Sequence, residues 1–439
     1  MKLFEELIEK EKIYIETYEL KDVLKSIKSG LNPRSNFKLN LPGAKNYYLT
    51  VKEFSNGKIE FSEKTSLINN EALEIIQKRS KLEKDDILLS SIGTIGKVVH
   101  VKDEPTNWNC SESVFLLKPK KEIILPKFLL YFLSSDYAQS FFHSTAGGTT
   151  LKGIRKEKLE TLKIKVPSIE IQNKIVEILD KFTEYSAELK AELKARDEQY
   201  KFYRDKLLFN NNLSTNSNFI SYKLEDILIS LKTGLNPRDH FKLNTENANN
   251  FYLTIKEIIS GKIVFNEKTD LINDEAMLKI QSRSNLEKDD ILLSSIGTLG
   301  KVAIVDIPIN NWNCSESIFL LKPNKQIVVP KFLYYILSSS KSQEYIEKNS
   351  SGTALKGIRK DILKELEVKI PSLKTQEKIV KVLDNFELIC KDLHIGLPAE
   401  EAKRQEQYEY YRDAIFKYLE TGIIDNKGIG ERERERAAN

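Results

Sequence analysis

Residues 18–167 and 222–371 align without a gap at an offset of 204, and about three-fifths of the aligned positions are identical. SGLNPRSNFKLN (29–40) returns as TGLNPRDHFKLN (233–244), and LEKDDILLSSIGTIGKV (82–98) as LEKDDILLSSIGTLGKV (286–302). NWNCSESVFLLKP (107–119) returns as NWNCSESIFLLKP (311–323), and LKGIRK (151–156) recurs unchanged at 355–360. Solenoid repeats run to roughly 20–50 residues, so a period near 200 means one whole domain built twice.

A helix-patterned stretch follows each copy. In the first, from about Gln172 to Phe209, Ile175, Leu179, Phe182, Leu189, Leu193, Tyr200, Tyr203 and Leu207 fall on steps of three and four. Only Ser186 and Arg196 interrupt this heptad seam, which predicts a coiled-coil helix. At ~1.5 Å per residue it would be about 55 Å long, enough to set a spacing between two domains. The second stretch, about Gln376 to Phe416, carries Ile379, Leu383, Phe386, Tyr408 and Tyr411. Here the offset has grown to 208, so four residues are inserted near Gly396-Leu397-Pro398. An insertion of four shifts the heptad phase, and Gly with Pro breaks a helix. The second helix is therefore expected to be interrupted near 395–398.

The expected organisation is an amphipathic N-terminal segment (1–17), a domain (18–167), a helix (168–210) and an Asn/Ser-rich linker (211–221). A second domain (222–371), a second helix (372–418) and a charged tail (419–439) follow. Within the first copy, Lys58–Ile68, Asp86–Val101, Glu112–Lys118 and Leu162–Val166 read as strands. Asn70–Arg79 and Lys127–Tyr137 read as helices, the latter started by Pro126. Each domain is thus α+β with a mainly β body, and Trp108 is expected in its core.

Composition excludes several classes. The chain is 40% hydrophobic and 30% charged, which fits a folded protein. No apolar run approaches the ~18 residues of a membrane span. The start, MKLFEELIEKEKIY, is acidic and amphipathic, unlike a secretory leader, so a cytoplasmic location is expected. Three cysteines argue against a disulfide framework, and the four histidines form no close ligand pair, so no metal site is expected. The net charge of +5 is uneven: the first domain carries about +8, the second about +2, and each helix about −1. Basic surface therefore belongs to the domains, the pattern expected of a polyanion binder.

No catalytic set is visible. Ser90 to Lys97 (SSIGTIGK) resembles a phosphate loop only superficially, because two residues rather than four separate its glycines and Val98 follows Lys97. A strand–turn–strand accounts for it better. Asn32-Pro33-Arg34 lacks the aromatic of an adenine-methylating motif, there is no Rossmann-type glycine loop, and no nucleophile–His–Asp set appears. The chain offers instead loops mixing cations, amides and hydroxyls, the groups that contact phosphates and base edges. The candidate DNA-binding residues are Asn32, Arg34, Lys38, Thr50, Lys52, Arg79, Thr149, Lys152 and Arg155. Their repeat mates are Asn236, Arg238, Lys242, Thr254, Lys256, Arg283, Thr353, Lys356 and Arg359.

The helix-associated motifs carry a resemblance. PSIEIQNKIVEILDKF (167–182) and ARDEQYKFYRDKLL (195–208), with QEKIVKVLD (376–384) and RQEQYEYYRD (404–413), closely resemble the DNA-specificity subunit of Type I restriction–modification systems. The likeness spans residues 18–418. It implies two target-recognition domains joined by two long antiparallel coiled-coil helices in a pseudo-twofold, circular arrangement. It also implies a subunit without activity of its own that binds double-stranded DNA, two methyltransferase (modification) subunits and restriction subunits. No cofactor would be bound by this chain; S-adenosylmethionine and ATP would sit on the partners. The seam residues named above would form the helix-pair and partner interface. Family members often carry two dissimilar recognition domains, whereas these are close copies. Twofold-related copies would read inverted, similar half-sites, a target that is palindromic or nearly so. The alternatives are a coiled-coil scaffold without DNA contact and a self-contained methyltransferase or nuclease.

Overall fold

The computed structural model describes residues 14–55, 57–148, 152–209, 219–352, 355–391 and 397–423. The chain divides into two compact units, residues 1–188 with 401–439, and residues 189–400. Each holds one copy of the repeat together with parts of both helical stretches.

In the first unit, Ile15–Glu19 pairs antiparallel with Lys163–Pro167 and closes the domain. A four-stranded antiparallel sheet runs in the order Leu24–Ser29, Val114–Pro119, Ile87–Ser90, Val98–His100. Successive side chains of a strand point to opposite faces. Ile87, Leu89, Phe115 and Leu117 accordingly pack in one core with the helices Pro126–Leu133 and Asp136–Thr145. Leu88, Val114 and Leu116 pack in another, with Leu49, Trp108 and Cys110. That second core is shared with a three-stranded sheet, Leu67–Ile68, Asn46–Leu49, Trp108–Cys110, whose last pair is parallel. The helix Asn70–Arg79, capped by the Asn69 side chain, covers Tyr48 and Ile68.

The strand–turn–strand reading of Ser90–Lys97 holds, and two other sequence expectations change. Asp86–Val101 is two strands, Ile87–Ser90 and Val98–His100, with Gly93 (φ 81°) and Gly96 (φ 89°) turning the chain between them. Only Lys58–Ile59 and Leu67–Ile68 of Lys58–Ile68 are strand, because the Ser62 N–H donates to Thr65 Oγ1 and the Thr65 N–H to the Ser62 carbonyl, curling the segment. Lys127–Tyr137 is broken at Ser134–Ser135, where Ser135 accepts the Ala138 N–H and starts a new helix.

The second unit repeats the same sheets: Leu228–Thr233, Ile318–Pro323, Ile291–Ser294, Val302–Ile304, and Leu271–Ile272, Asn250–Leu253, Trp312–Cys314. Ile220–Lys223 closes it against Glu367–Ile370.

Ile169–Phe209 is one helix of 41 residues. Buried Gln172 moors its start: Oε1 accepts the Leu125 N–H (2.8 Å), while Nε2 donates to the carbonyls of Ile123 (2.8 Å) and Pro167 (2.9 Å). Gln376 does the same with Val329, Ile327 and Pro371. The heptad seam is not one buried stripe. Ile175 and Leu179 are buried in the first unit, while Phe182, Leu189 and Leu193 are half-buried. Toward the C-terminal end burial moves to Tyr200, Arg204 and Leu208, and Tyr203 is 40% exposed although its ring lies 6.3 Å from Phe386. A straight helix drifts about 20° per heptad, which carries the buried face from the seam positions onto this neighbouring row. The second stretch forms two helices, Leu373–Lys391 and Leu397–Thr421. Of the break expected near 395–398, Leu397 and Pro398 open the helix Leu397–Thr421, while 395 and 396 lie within 392–396, outside the described residues, as do 1–13, 210–218 and 424–439.

The end of the last helix completes the first core. Ile415, Phe416 and Leu419 are buried there, and the Phe416 ring meets Phe128 (5.4 Å) and Phe132 (5.6 Å). Asp413 Oδ1 accepts the Asp136 N–H (3.0 Å), and Arg412 holds that carboxylate with two 3.0 Å bonds. In the second unit, Leu208, Asp205 and Arg204 do the same work, Asp205 accepting the Ser340 N–H (3.2 Å). Phe416→Ala is expected to cost the first unit about 3–5 kcal/mol. Hydrogen exchange should accelerate in Ile87–Ser90 and remain unchanged in Ile291–Ser294.

Candidate nucleic-acid interface

The loop that opens with Gly30 is pressed onto the strand Trp108–Cys110. A Cβ on Gly30 would stand 1.6 Å from the Cys110 carbonyl oxygen, and one on Gly234 would stand 1.7 Å from that of Cys314. Only glycine allows this approach. Asn32 then caps a single helical turn, Pro33–Asn36: its Oδ1 accepts the Arg34 N–H (2.9 Å) and its Nδ2 donates to Glu112 Oε1 (2.8 Å). The Tyr48 hydroxyl donates to the Leu31 carbonyl (2.6 Å) and lies 3.2 Å from Glu112 Oε2. Burial and the neighbouring Glu112 push the Tyr48 pKa up, so this phenol stays protonated.

The turn Ser111–Ser113 ties that loop to three others. The Ser111 N–H donates to the Leu49 carbonyl (2.9 Å), next to Thr50. Ser91 donates twice to the Ser113 carbonyl, through N–H (2.8 Å) and Oγ (2.9 Å), fixing the glycine turn 90–97. The Ser91 carbonyl accepts the Ile154 N–H (2.9 Å), and the Gly93 N–H donates to the Lys152 carbonyl (3.1 Å). Gly147 and Gly153 exchange two bonds of 3.0 and 2.9 Å, which close the neck of the 147–153 loop. Arg79 joins from its helix, Nε donating to the Ser29 carbonyl (3.3 Å). Six segments distant in sequence thus share one hydrogen-bonded cluster, and the second unit repeats its backbone bonds through Ser315–Ser317, Ser295, Gly297 and Gly357.

Within this cluster the candidate residues separate by task. Thr50 closes a capping box with Glu53, its hydroxyl donating to Glu53 Oε2 (2.8 Å), and Thr254 does so with Glu257 (2.7 Å). Asn32, Thr50, Asn236 and Thr254 therefore spend polar atoms on holding loops in place. Arg34, Lys38, Lys52, Lys152 and Arg155 are exposed and have no ion-pair partner among the described residues; the same is true of Arg238, Lys242, Lys256 and Lys356. Arg283 donates to Thr233 Oγ1 (3.3 Å), and Arg359 pairs with Asp361 at 3.3 Å. Thr149 and Thr353 lie outside the described residues. By contrast, lysines near the far end of the strand Val114–Pro119 are paired: Lys118 with Glu83 (2.7 Å) and Lys121 with Asp85 (2.7 Å). Glu112, Tyr48 and Ser91 are cluster residues that sequence reading missed. The signal for Glu112 was the unbroken identity of NWNCSES in both copies, read as a strand start.

The cluster has little means of catalysis. Burial pushes the Cys110 and Cys314 thiols up to about 12, so they stay protonated. Among the described residues no group of three His, Cys, Asp or Glu could hold a metal ion, and no helix is long and apolar enough to cross a membrane. Gly30→Ala or Gly234→Ala should cost about 1–3 kcal/mol by forcing the loop off its strand. Gly147→Ala, whose Cβ meets nothing within 4 Å, should change stability by less than about 0.5 kcal/mol in urea titration.

The family model described as Type I restriction modification DNA specificity domain matches residues 13–199 and again 216–400. The specificity subunit of an Escherichia coli type I restriction enzyme is 29% identical over 262 residues, 59% of this chain and 62% of that subunit's length. A putative type I specificity subunit of Mycoplasma pneumoniae is 30% identical over 318 residues, 71% of this chain and 78% of that protein. A putative type I specificity subunit of Methanocaldococcus jannaschii is 26% identical over 423 residues, 93% of each. In fold, the chain is similar to one in a solved structure described as explaining complex assembly and conformational transition of the type I R-M system. The TM-score is 0.56 at 14% identity, covering 93% of this chain and 98% of that one. The chain therefore belongs to the Type I restriction–modification DNA specificity family, with two copies of its domain.

Proposed function

We propose that this chain reads a bipartite double-stranded DNA target for a Type I restriction–modification system, one half-site per loop cluster, and performs no chemistry itself. The observation that carries this reading is the gathering, in each unit, of exposed and unpaired cations on loops fixed by backbone hydrogen bonds. Unpaired Arg and Lys on a rigid frame are what phosphate and guanine contacts need. Adenine methylation and cleavage then fall to partner subunits that bring S-adenosylmethionine and ATP. Exposed aromatics on the long helix, Tyr185 and Phe202, supply surface for the methyltransferase subunits. The domains are close copies and the backbone bonds around their glycine turns repeat from one to the other, so the two half-sites should be similar and inverted.

Two measurements test this. Methylome sequencing of cells carrying the chain with its modification subunit should give a split motif with related, inverted halves; clearly unrelated halves would refute the palindromic reading. In titrations of that complex on a duplex bearing the motif, log K should fall linearly with log salt. Arg34→Ala and Lys152→Ala should each lower that slope by about 1. No affinity for the duplex, and no salt dependence, would favour the scaffold alternative.

A further inference from the structure

Each cluster also carries an exposed apolar side chain. Ile92 is 37% exposed and Ile296 is 41% exposed, each just before the first glycine of the turn. A single exposed isoleucine is ordinary on a protein surface. These two differ in how they are held. The preceding Ser91 is buried and bonded twice to Ser113, the following Gly93 is bonded to Lys152, and Ile92 itself bridges Gly153. The second copy repeats every one of these ties around Ile296, through Ser295, Gly297 and Gly357. The turn is anchored from below as well: the Gln139 amide donates to the Gly96 carbonyl (2.9 Å), and Gln343 donates to that of Gly300 (2.9 Å). An apolar group is thus presented on an immobilised backbone, with Lys152 and Arg155 on the adjoining loop. In the second unit Leu355, 69% exposed, lies beside Lys356; its repeat mate Leu151 lies outside the described residues.

We propose that Ile92 and Ile296 are wedges that enter a groove of the bound duplex and part a base step in each half-site. The inference rests on the DNA-reading function above. Apolar side chains flanked by cations are used in this way: the cations hold the phosphates on either side while the wedge takes the place of lost stacking. Flexible pyrimidine–purine steps open at least cost, so a wedge also selects sequence at a step where it makes no hydrogen bond. The rigid seat matters, since a wedge on a mobile loop would yield rather than push.

The test uses the full chain with its modification subunit and a duplex carrying the motif found by methylome sequencing. 2-Aminopurine replaces, one at a time, each adenine of the half-sites other than the methylated one, since methyltransferases extrude their target base. Wild-type complex should raise the fluorescence several-fold at one step per half-site. Ile92→Ala with Ile296→Ala should abolish that rise at saturating protein and weaken binding roughly threefold to tenfold, with the salt slope unchanged. Ile92→Leu with Ile296→Leu should restore it. Lys152→Ala should lower the salt slope but keep the rise at saturation. A wild-type complex that binds the duplex with no rise at any step overturns the wedge and leaves the reading function standing. So does a full rise in the double alanine variant, or alanine variants that lose only the modification subunit. A wild-type complex with no affinity for the duplex overturns both.

Discussion

The architecture depends on a core that each copy of the repeat shares with the end of a long helix. In the first unit the helices Pro126–Leu133 and Asp136–Thr145 bury Phe128 and Phe132 against Phe416. Burying a side chain of that size gains about 1.5–3 kcal/mol, and Ile415 and Leu419 are buried with it. The direction of approach is set by a polar contact. The Asp413 carboxylate meets the first N–H groups of the helix Asp136–Thr145, where amides lack partners and the helix dipole is positive. Two bonds from Arg412 hold that carboxylate in a site where an unpaired charge would be costly. Repetition of the arrangement by Arg204, Asp205 and Leu208 explains why YKFYRD (200–205) and YEYYRD (408–413) are kept alike.

Stiffness passes from these cores to the loops through the strands. Val114–Pro119 is central in its sheet, and the residues just before it, Ser111 to Ser113, are those that gather the loops. The Gly30 contact works at the same place, pinning the Asn32 turn to the backbone of Cys110. Most bonds that fix the cluster are backbone bonds, joined by those of Glu112 and Arg79, so its shape depends little on the unpaired cations it presents.

How far the sequence revealed this varies by element. The duplication, the α+β class, the helix Asn70–Arg79 and the buried Trp108 were legible, because each rests on local pattern. The split of Lys127–Tyr137 was not, since two serines weigh little against an apolar helical run until Ser135 is seen capping. The seam was located, but not the drift of its buried face from Tyr203 to Arg204, which depends on which globule the helix meets. At the candidate site the cations were legible as types. The engagement of Asn32 with Glu112 was not, since those residues lie 80 apart and no local rule joins them.

The two clusters share a frame but not a charge. Ser35 and Asn36 of the first turn become Asp239 and His240 in the second, and the domains differ by about +8 against +2. On the DNA-reading proposal, the counterion-release term is therefore concentrated in the first domain, and the second must rely more on shape and base contacts. Linked readers need not be equally strong. Once one half-site is held, the other is met at an effective concentration in the millimolar range, so even a weak second contact multiplies overall affinity. Such a division also favours specificity: a strongly basic second domain would hold any duplex, whereas a weakly charged one adds affinity only where its own half-site is present.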